Sequence, residues 1–226
     1  MPLEEDMQNL QRHIKHIMSD ASKSSCYLEL RNAVCARLTL YNARRGNEPA
    51  RLLLCAWKEG FNDTWLKNIS LPKDLDELEK EQIKQRKVAL MAGKRNALVS
   101  LLFPKDTICP LKQLIDEDFR SKYNLSPNKP YVFASSNGSD QHLSGWHCMN
   151  NFCKQLNLIN ASKITATKNR HWMSTIYSMM GFTDSEKKAI YDHMGHTEDM
   201  NKTRYQCPLA LKKRNKKTNK RRVLFI

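Results

Sequence analysis

Residues 88–103 read VALMAGKRNALVSLLF. Two apolar arms rich in Val and Leu flank a short polar segment that contains Gly93. That pattern predicts a β-hairpin turning between Ala92 and Asn96. A second strand, shorter and alone, is expected at PYVFA, residues 130–134. The hairpin decides the fold class, because most of the remaining chain carries helical periodicity. The expected fold is α+β, mainly α, with one small antiparallel sheet.

The helices follow from apolar spacing and from their ends. Leu10, Ile14, Ile17 and Met18 place one face of a helix on residues 4–20. Leu30, Val34 and Leu38 do the same for Ser25 to Tyr41, and NARRG ends it. NEPARLLLCAW, residues 47–57, reads as one restarted helix with Pro49 in its first turn, where a missing N–H is harmless. Residues 73–87 are densely charged and read as a solvated connector. Asp106 or Thr107 is expected to cap a helix with Ile108, Leu111, Leu114, Ile115 and Phe119 as its stripe. Ser144 to Leu156 is expected helical and anchored in the core by Trp146, Phe152 and Leu156, and Trp172 is read as core too. Thr167 to Met180 forms another helix, closed by Gly181. TDSEKKAIYDHM, residues 183–194, opens with cap residues and makes one more, with Tyr191 and His193 on its face. There are no internal repeats.

The chain is 226 residues long and carries 38 Lys and Arg against 23 Asp and Glu, a net charge of +15. Such an excess points to an anionic partner, nucleic acid above all. Part of it sits in KKRNKKTNKRR, residues 212–222, which includes Lys212, Lys213 and Arg214. Removing the eight basic residues there still leaves about +7, so the body is basic as well. The tail reads as a nuclear-localisation signal, as a DNA-binding arm, or as both. No apolar run reaches the roughly 18 residues a membrane span needs. Seven cysteines without regular spacing or a leading apolar segment indicate reduced thiols. A zinc site from Cys148, Cys153, His193 and His196 can be drawn, but its spacing matches no common zinc motif.

Four separated pieces then combine. ARRGNEPARL, residues 43–52, offers Arg45 with Glu48 three residues on. Gly93-Lys94 sits at the hairpin tip, and TKNRH, residues 167–171, places Arg170 near a helix start. Met194-Gly195-His196 is followed by Tyr205 nine residues after the histidine. In this order they resemble the catalytic domain of tyrosine recombinases, the phage-integrase family. That family's pattern is Arg-x-x-Glu, a hairpin Lys, His-x-x-Arg, Leu-Gly-His and a late Tyr. The resemblance covers roughly residues 25–210. LYNARRGNEPARL and TATKNRH look most like the Crypton-type recombinases of eukaryotic mobile elements and their domesticated relatives.

The resemblance implies a site-specific recombinase or integrase that acts on double-stranded DNA, as a homo-tetramer on that DNA, in the nucleus and without metal or cofactor. No acidic cluster in the sequence suggests a metal. Arg45 and Arg170 would hold the non-bridging oxygens of the scissile phosphate in bidentate fashion. His196 would donate to the same phosphate or help move a proton. Lys94 would protonate the departing 5′-oxygen, and Tyr205 would attack to form a 3′-phosphotyrosyl bond. Glu48 braces the loop, His171 is structural, and Arg44 and Lys168 join the tail in binding DNA. Arg44 competes with Arg45 for the first arginine's role, and the spacing to Glu48 favours Arg45.

One position departs from the pattern. Where the family has its first histidine, this chain has Thr167, which can hydrogen-bond to phosphate but cannot act as an acid or base at neutral pH. That departure bears on the rate and not on the reaction type. An alternative function is a domesticated, catalytically silent DNA-binding protein, whose usual mark is loss of the tyrosine or of an arginine, and this chain keeps both. A type IB topoisomerase shares the chemistry without a synaptic tetramer. The domain division expected is an N-terminal helix or remnant of a core-binding domain at 1–22, the catalytic domain at 23–211 and the basic tail at 212–226. With about twenty residues ahead of the catalytic part, the chain is expected to be a fragment or a truncated copy.

Overall fold

The computed structural model describes residues 2–19, 26–64, 66, 76–93, 97–136 and 139–195. The hairpin turn at Lys94 and everything from His196 onward, including Tyr205, Lys212, Lys213 and Arg214, lie outside the described residues.

The helices run in order α1 (Glu4–Ser19), α2 (Tyr27–Tyr41), α3 (Asn47–Ala50), α4 (Leu54–Phe61) and α5 (Glu77–Gln85). Strands β1 (Lys87–Ala92) and β2 (Leu98–Phe103) follow, then α6 (Lys105–Ile115), α7 (Glu117–Lys122), α8 (Gly145–Gln155), α9 (Ala166–Met179) and α10 (Asp184–Met194). At the centre stands α2. Leu30, Ala33, Val34, Cys35, Ala36, Leu38 and Leu40 are buried around its whole circumference, as expected for a helix with neighbours on every side. Helices α1, α6, α8 and α9 pack on it.

The division at residue 22 does not separate two cores. Met7, Leu10, Ile14, Ile17 and Met18 of α1 belong to the same apolar cluster as α2. Buried Asp6 also accepts the backbone N–H groups of Ile159 and Asn160 at 3.0 and 2.8 Å.

The hairpin is antiparallel, with Lys87 opposite Phe103 and Ala92 opposite Leu98. Ala89, Met91, Leu101 and Phe103 turn inward at the strand period of two. Trp57 on α4 meets Phe103 edge-on at 4.9 Å and so fastens the sheet to the helices. Asn42 then ties the hairpin to the end of α2. Its side-chain amide donates to Leu102 O at 2.9 Å and accepts from Leu102 N–H at 2.9 Å, standing in for a missing strand.

Several local expectations change. The helix expected over 47–57 breaks into α3 and α4, because Leu52 O and Leu54 N–H pair with Val132 and Pro130 instead. PYVFA is therefore not a ladder strand. It makes two isolated bridges, Leu53 to Tyr131 and Ala134 to His142. The charged stretch at 73–87 contains helix α5 and the start of β1. Neither Asp106 nor Thr107 is the cap of α6, which begins after Pro104. The apolar stripe expected to reach Phe119 is interrupted at Asp116, whose carboxylate caps α7 by accepting Phe119 N–H at 2.9 Å. The last helix fits its prediction closely. Thr183 and Glu186 form a reciprocal capping box. Among the described residues, no helix is long and apolar enough to cross a membrane.

Candidate functional site

The site is built on the loop that leaves α2. Ala43 turns the chain with φ 47°, a left-handed conformation uncommon outside glycine. It is buried against Tyr191 and Met194 of α10. The turn sends two consecutive arginines in different directions. Arg44 goes inward and is 2 % exposed. Its Nε pairs with Glu48 Oε2 at 2.9 Å, and its Nη1 donates to His193 O. Burial lowers its pKa from the ordinary arginine value. Arg45 goes outward, with 39 % of its side chain exposed, and its Nη1 pairs with Glu48 Oε1 at 2.9 Å. Glu48 is buried and braces both arginines, one per carboxylate oxygen.

Arg44 was expected on DNA. Its Nε is held by Glu48 and its Nη1 by the end of α10, while its Nη2 is buried with no hydrogen-bond partner among the described residues.

Helix α9 supplies the next residues. Thr165 caps it, accepting Lys168 N–H at 3.2 Å. One turn on, Arg170 is 3 % exposed and donates through Nη2 to Met194 O at 2.7 Å. Thr167, three residues before Arg170 and on the same helix side, lines a cleft that Arg45 also lines. Lys168 is at the surface with its ammonium on Ser162 O at 2.8 Å. Half-buried His171 accepts Thr175 Oγ1 at its carbonyl at 2.8 Å, a contact internal to the helix.

These parts meet at the C-terminus of α10. Arg44 and Arg170 bind its last two carbonyls, His193 O and Met194 O. Cations are favoured there by the helix dipole. Gly195 then ends the helix with φ 69° and ψ 41°, a conformation that favours glycine. A Cβ on Gly195 would sit 3.7 Å from Nη1 of both Arg44 and Arg45. The structure therefore gathers Arg45, Arg170 and Gly195 around one point, and His196 is the next residue. Tyr191, expected on a helix face, is instead 4 % exposed beside that point. His193 reaches Ser100 Oγ on β2 at 3.3 Å through Nδ1, linking this helix end to the hairpin. Burial, reinforced by the Arg44 charge, pushes the His193 pKa below its ordinary value.

Three contributors were not read from the sequence. Trp146 was assigned to the core but is 56 % exposed in the first turn of α8, beside the cleft. Its helix buries Cys148, Met149, Phe152 and Cys153, an i, i+1, i+4, i+5 stripe that leaves Trp146 at the edge, so the periodicity carried the signal. The other two, Asn47 and Gly145, fix the Arg45 loop. Asn47 Oδ1 accepts Gly145 N–H at 3.2 Å. A Cβ on Gly145 would lie 1.9 Å from Gly46 O, so only glycine permits the approach. Gly145→Ala is therefore expected to destabilise the fold by about 1–3 kcal/mol, through forced backbone displacement. A melting curve should fall by about 2–10 °C. An unchanged curve would mean that the Arg45 loop is not held by this contact.

Neither known protein-family models nor curated proteins match the sequence. Solved structures do. A XerH site-specific recombinase bound to a palindromic difH substrate, in a post-cleavage complex, superposes with a TM-score of 0.58 at 14 % identity, over 95 % of this chain and 51 % of that one. The XerH pre-cleavage complex with difH gives 0.56 at 15 % identity, over 89 % and 48 %. The chain thus spans about half the length of these recombinases. The likeness establishes the fold: mainly helical with a two-stranded antiparallel sheet, the fold of tyrosine-recombinase catalytic domains.

Proposed function

We propose that this chain cuts and rejoins double-stranded DNA through a 3′-phosphotyrosyl intermediate. The observation that carries the reading is the convergence of Arg45, Arg170 and Gly195 at the end of α10. Arg45 and Arg170, 125 positions apart in the sequence, both reach the end of α10. In this reading the phosphate lies against the exposed Arg45 fork, with Arg170 behind it. Tyr205 Oη attacks phosphorus and gives up its phenolic proton, with His196 helping it to move to solvent, the P–O5′ bond breaks, and Lys94 delivers a proton to the leaving oxygen. Rejoining reverses the step with an incoming 5′-hydroxyl. Preorganised donors of this kind typically lower a barrier by a few kcal/mol each.

The finer parts of the proposal rest on the sequence. LYNARRGNEPARL and TATKNRH support a Crypton-type origin, the basic tail supports nuclear localisation and DNA contact, and the reaction type implies a tetramer on DNA. The domain assignment is an N-terminal helix or core-binding remnant at 1–22, a recombinase catalytic domain at 23–211 and the basic arm at 212–226, with α1 packed on the catalytic core. A silent DNA-binding descendant is the second reading; Thr167 in place of the family's acid–base histidine bears on the rate and leaves the reaction type as proposed.

Incubation with a suicide duplex, nicked so that the cut strand diffuses away, tests the main reading by a protein–DNA band stable to denaturant. Lys94→Ala should slow band formation on ordinary DNA by about 10²–10⁴-fold, the usual worth of a positioned acid. A substrate with a 5′-sulfur leaving group should restore it, since a thiolate leaves without a proton. Equal loss on both substrates would take the acid role away from Lys94.

A further inference from the structure

Beside Arg45 lies a feature that strand transfer does not use. Trp146 is 56 % exposed, whereas the interior tryptophan Trp57 is 1 % exposed. Tryptophan gains more than most side chains from contact, and an exposed indole on a rigid element is a poised surface. The element is rigid here. Gly145, directly before Trp146, touches Gly46 backbone to backbone, so the helix start is set against the residue that follows Arg45. His147 adds an edge-on ring contact to the indole at 4.9 Å.

Between Trp146, Arg45 and Thr167 opens a cleft of about 490 Å³, a size within the range of small-ligand sites. Its walls carry an aromatic ring, a partly exposed guanidinium and the hydroxyls of Thr165 and Thr167. Those groups match the base, the phosphate and the sugar edge of one nucleotide. We propose that Trp146 is a stacking platform for a base of the bound DNA strand, seated in this cleft next to the phosphate that Arg45 holds. The inference rests on the DNA reading above and adds to it a nucleoside subsite. Stacking on an aromatic ring tolerates any base. Trp146 therefore favours a strand with an unstacked base over a fully stacked duplex, without encoding sequence.

Two oligonucleotides of equal length and charge test this: an oligothymidylate, and an oligomer of abasic units with the same phosphates and no bases. The parent should prefer the thymidylate by about tenfold, the worth of one stacked base. Trp146→Leu should abolish that preference while leaving the salt dependence of binding unchanged, because the phosphate contacts remain. Trp146→Phe should keep most of it. A Trp146→Leu protein that still prefers the thymidylate overturns the stacking role alone and leaves the DNA reading standing; the indole then faces another partner. A parent that binds neither oligomer nor duplex overturns both.

Discussion

Tyr205→Phe is expected to erase covalent capture of DNA and to leave salt-sensitive binding within about twofold, because phosphate contacts dominate that affinity. The substitution removes one oxygen and keeps the ring. A tyrosine that only packed in the core would lose at most about 1 kcal/mol with its hydroxyl, and capture would persist. The rival tyrosines near the site are poorly placed for the role. Tyr191 is 4 % exposed, in a small cluster with Ala43 and Met194. The Tyr177 hydroxyl has its pKa raised by burial, which makes a worse nucleophile at neutral pH. An adduct that survives Tyr205→Phe would remove Tyr205 from the mechanism. A parent that binds duplex DNA tightly and never forms the adduct, even on the suicide substrate, would move the weight to the silent binder.

The parts of this fold that sequence revealed are those governed by local rules. The hairpin was legible because two short apolar arms flank a polar segment that contains a glycine. Helix α10 was legible because residues 183–194 open with cap residues, and the structure adds the Thr183–Glu186 capping box and the left-handed stop at Gly195. The errors fall where distant contacts override local preference. LLLCAW has the composition of a helix, yet Leu52 and Leu54 give their backbone groups to Val132 and Pro130. No window around residue 52 contains that partner. Trp146 was misplaced for a related reason: an aromatic residue is a good prior for the core, and only the position of its neighbours on α8 shows that the core stops short of it.

The site has the same division. Residue types and spacing are what a sequence offers, and Glu48 pairs with both arginines. What could not be read is which way each of two adjacent arginines points, since a one-residue step in a loop reverses direction only through the local φ and ψ. Ala43 at φ 47° makes that choice, and an alanine gives no sequence signal for a left-handed turn.

The opposite orientations of Arg44 and Arg45 yield the second large effect, a split between stability and rate. Arg45→Ala removes an exposed guanidinium whose pairing with Glu48 is duplicated by Arg44. Its melting temperature should stay close to that of the parent, because a half-exposed ion pair contributes at most about 1 kcal/mol. Capture of DNA should fall by about 10²–10³-fold, the loss typical of one preorganised donor at a developing charge. Arg44→Ala should do the reverse. It strips a buried ion pair from Glu48 and a donor from His193 O, and although Arg45 still pairs with Glu48, the buried groups left unsatisfied destabilise by about 1–3 kcal/mol. Urea denaturation at fixed temperature reads that loss. Measured at low temperature and normalised to folded protein, its capture rate should fall by less than tenfold, since no atom of Arg44 reaches the cleft lined by Arg45 and Thr167 and a barrier change below about 1.4 kcal/mol follows from a shifted loop alone. If Arg44→Ala instead keeps parental stability and loses capture, the two arginines exchange roles, and the phosphate must lie on the far side of the loop from Trp146.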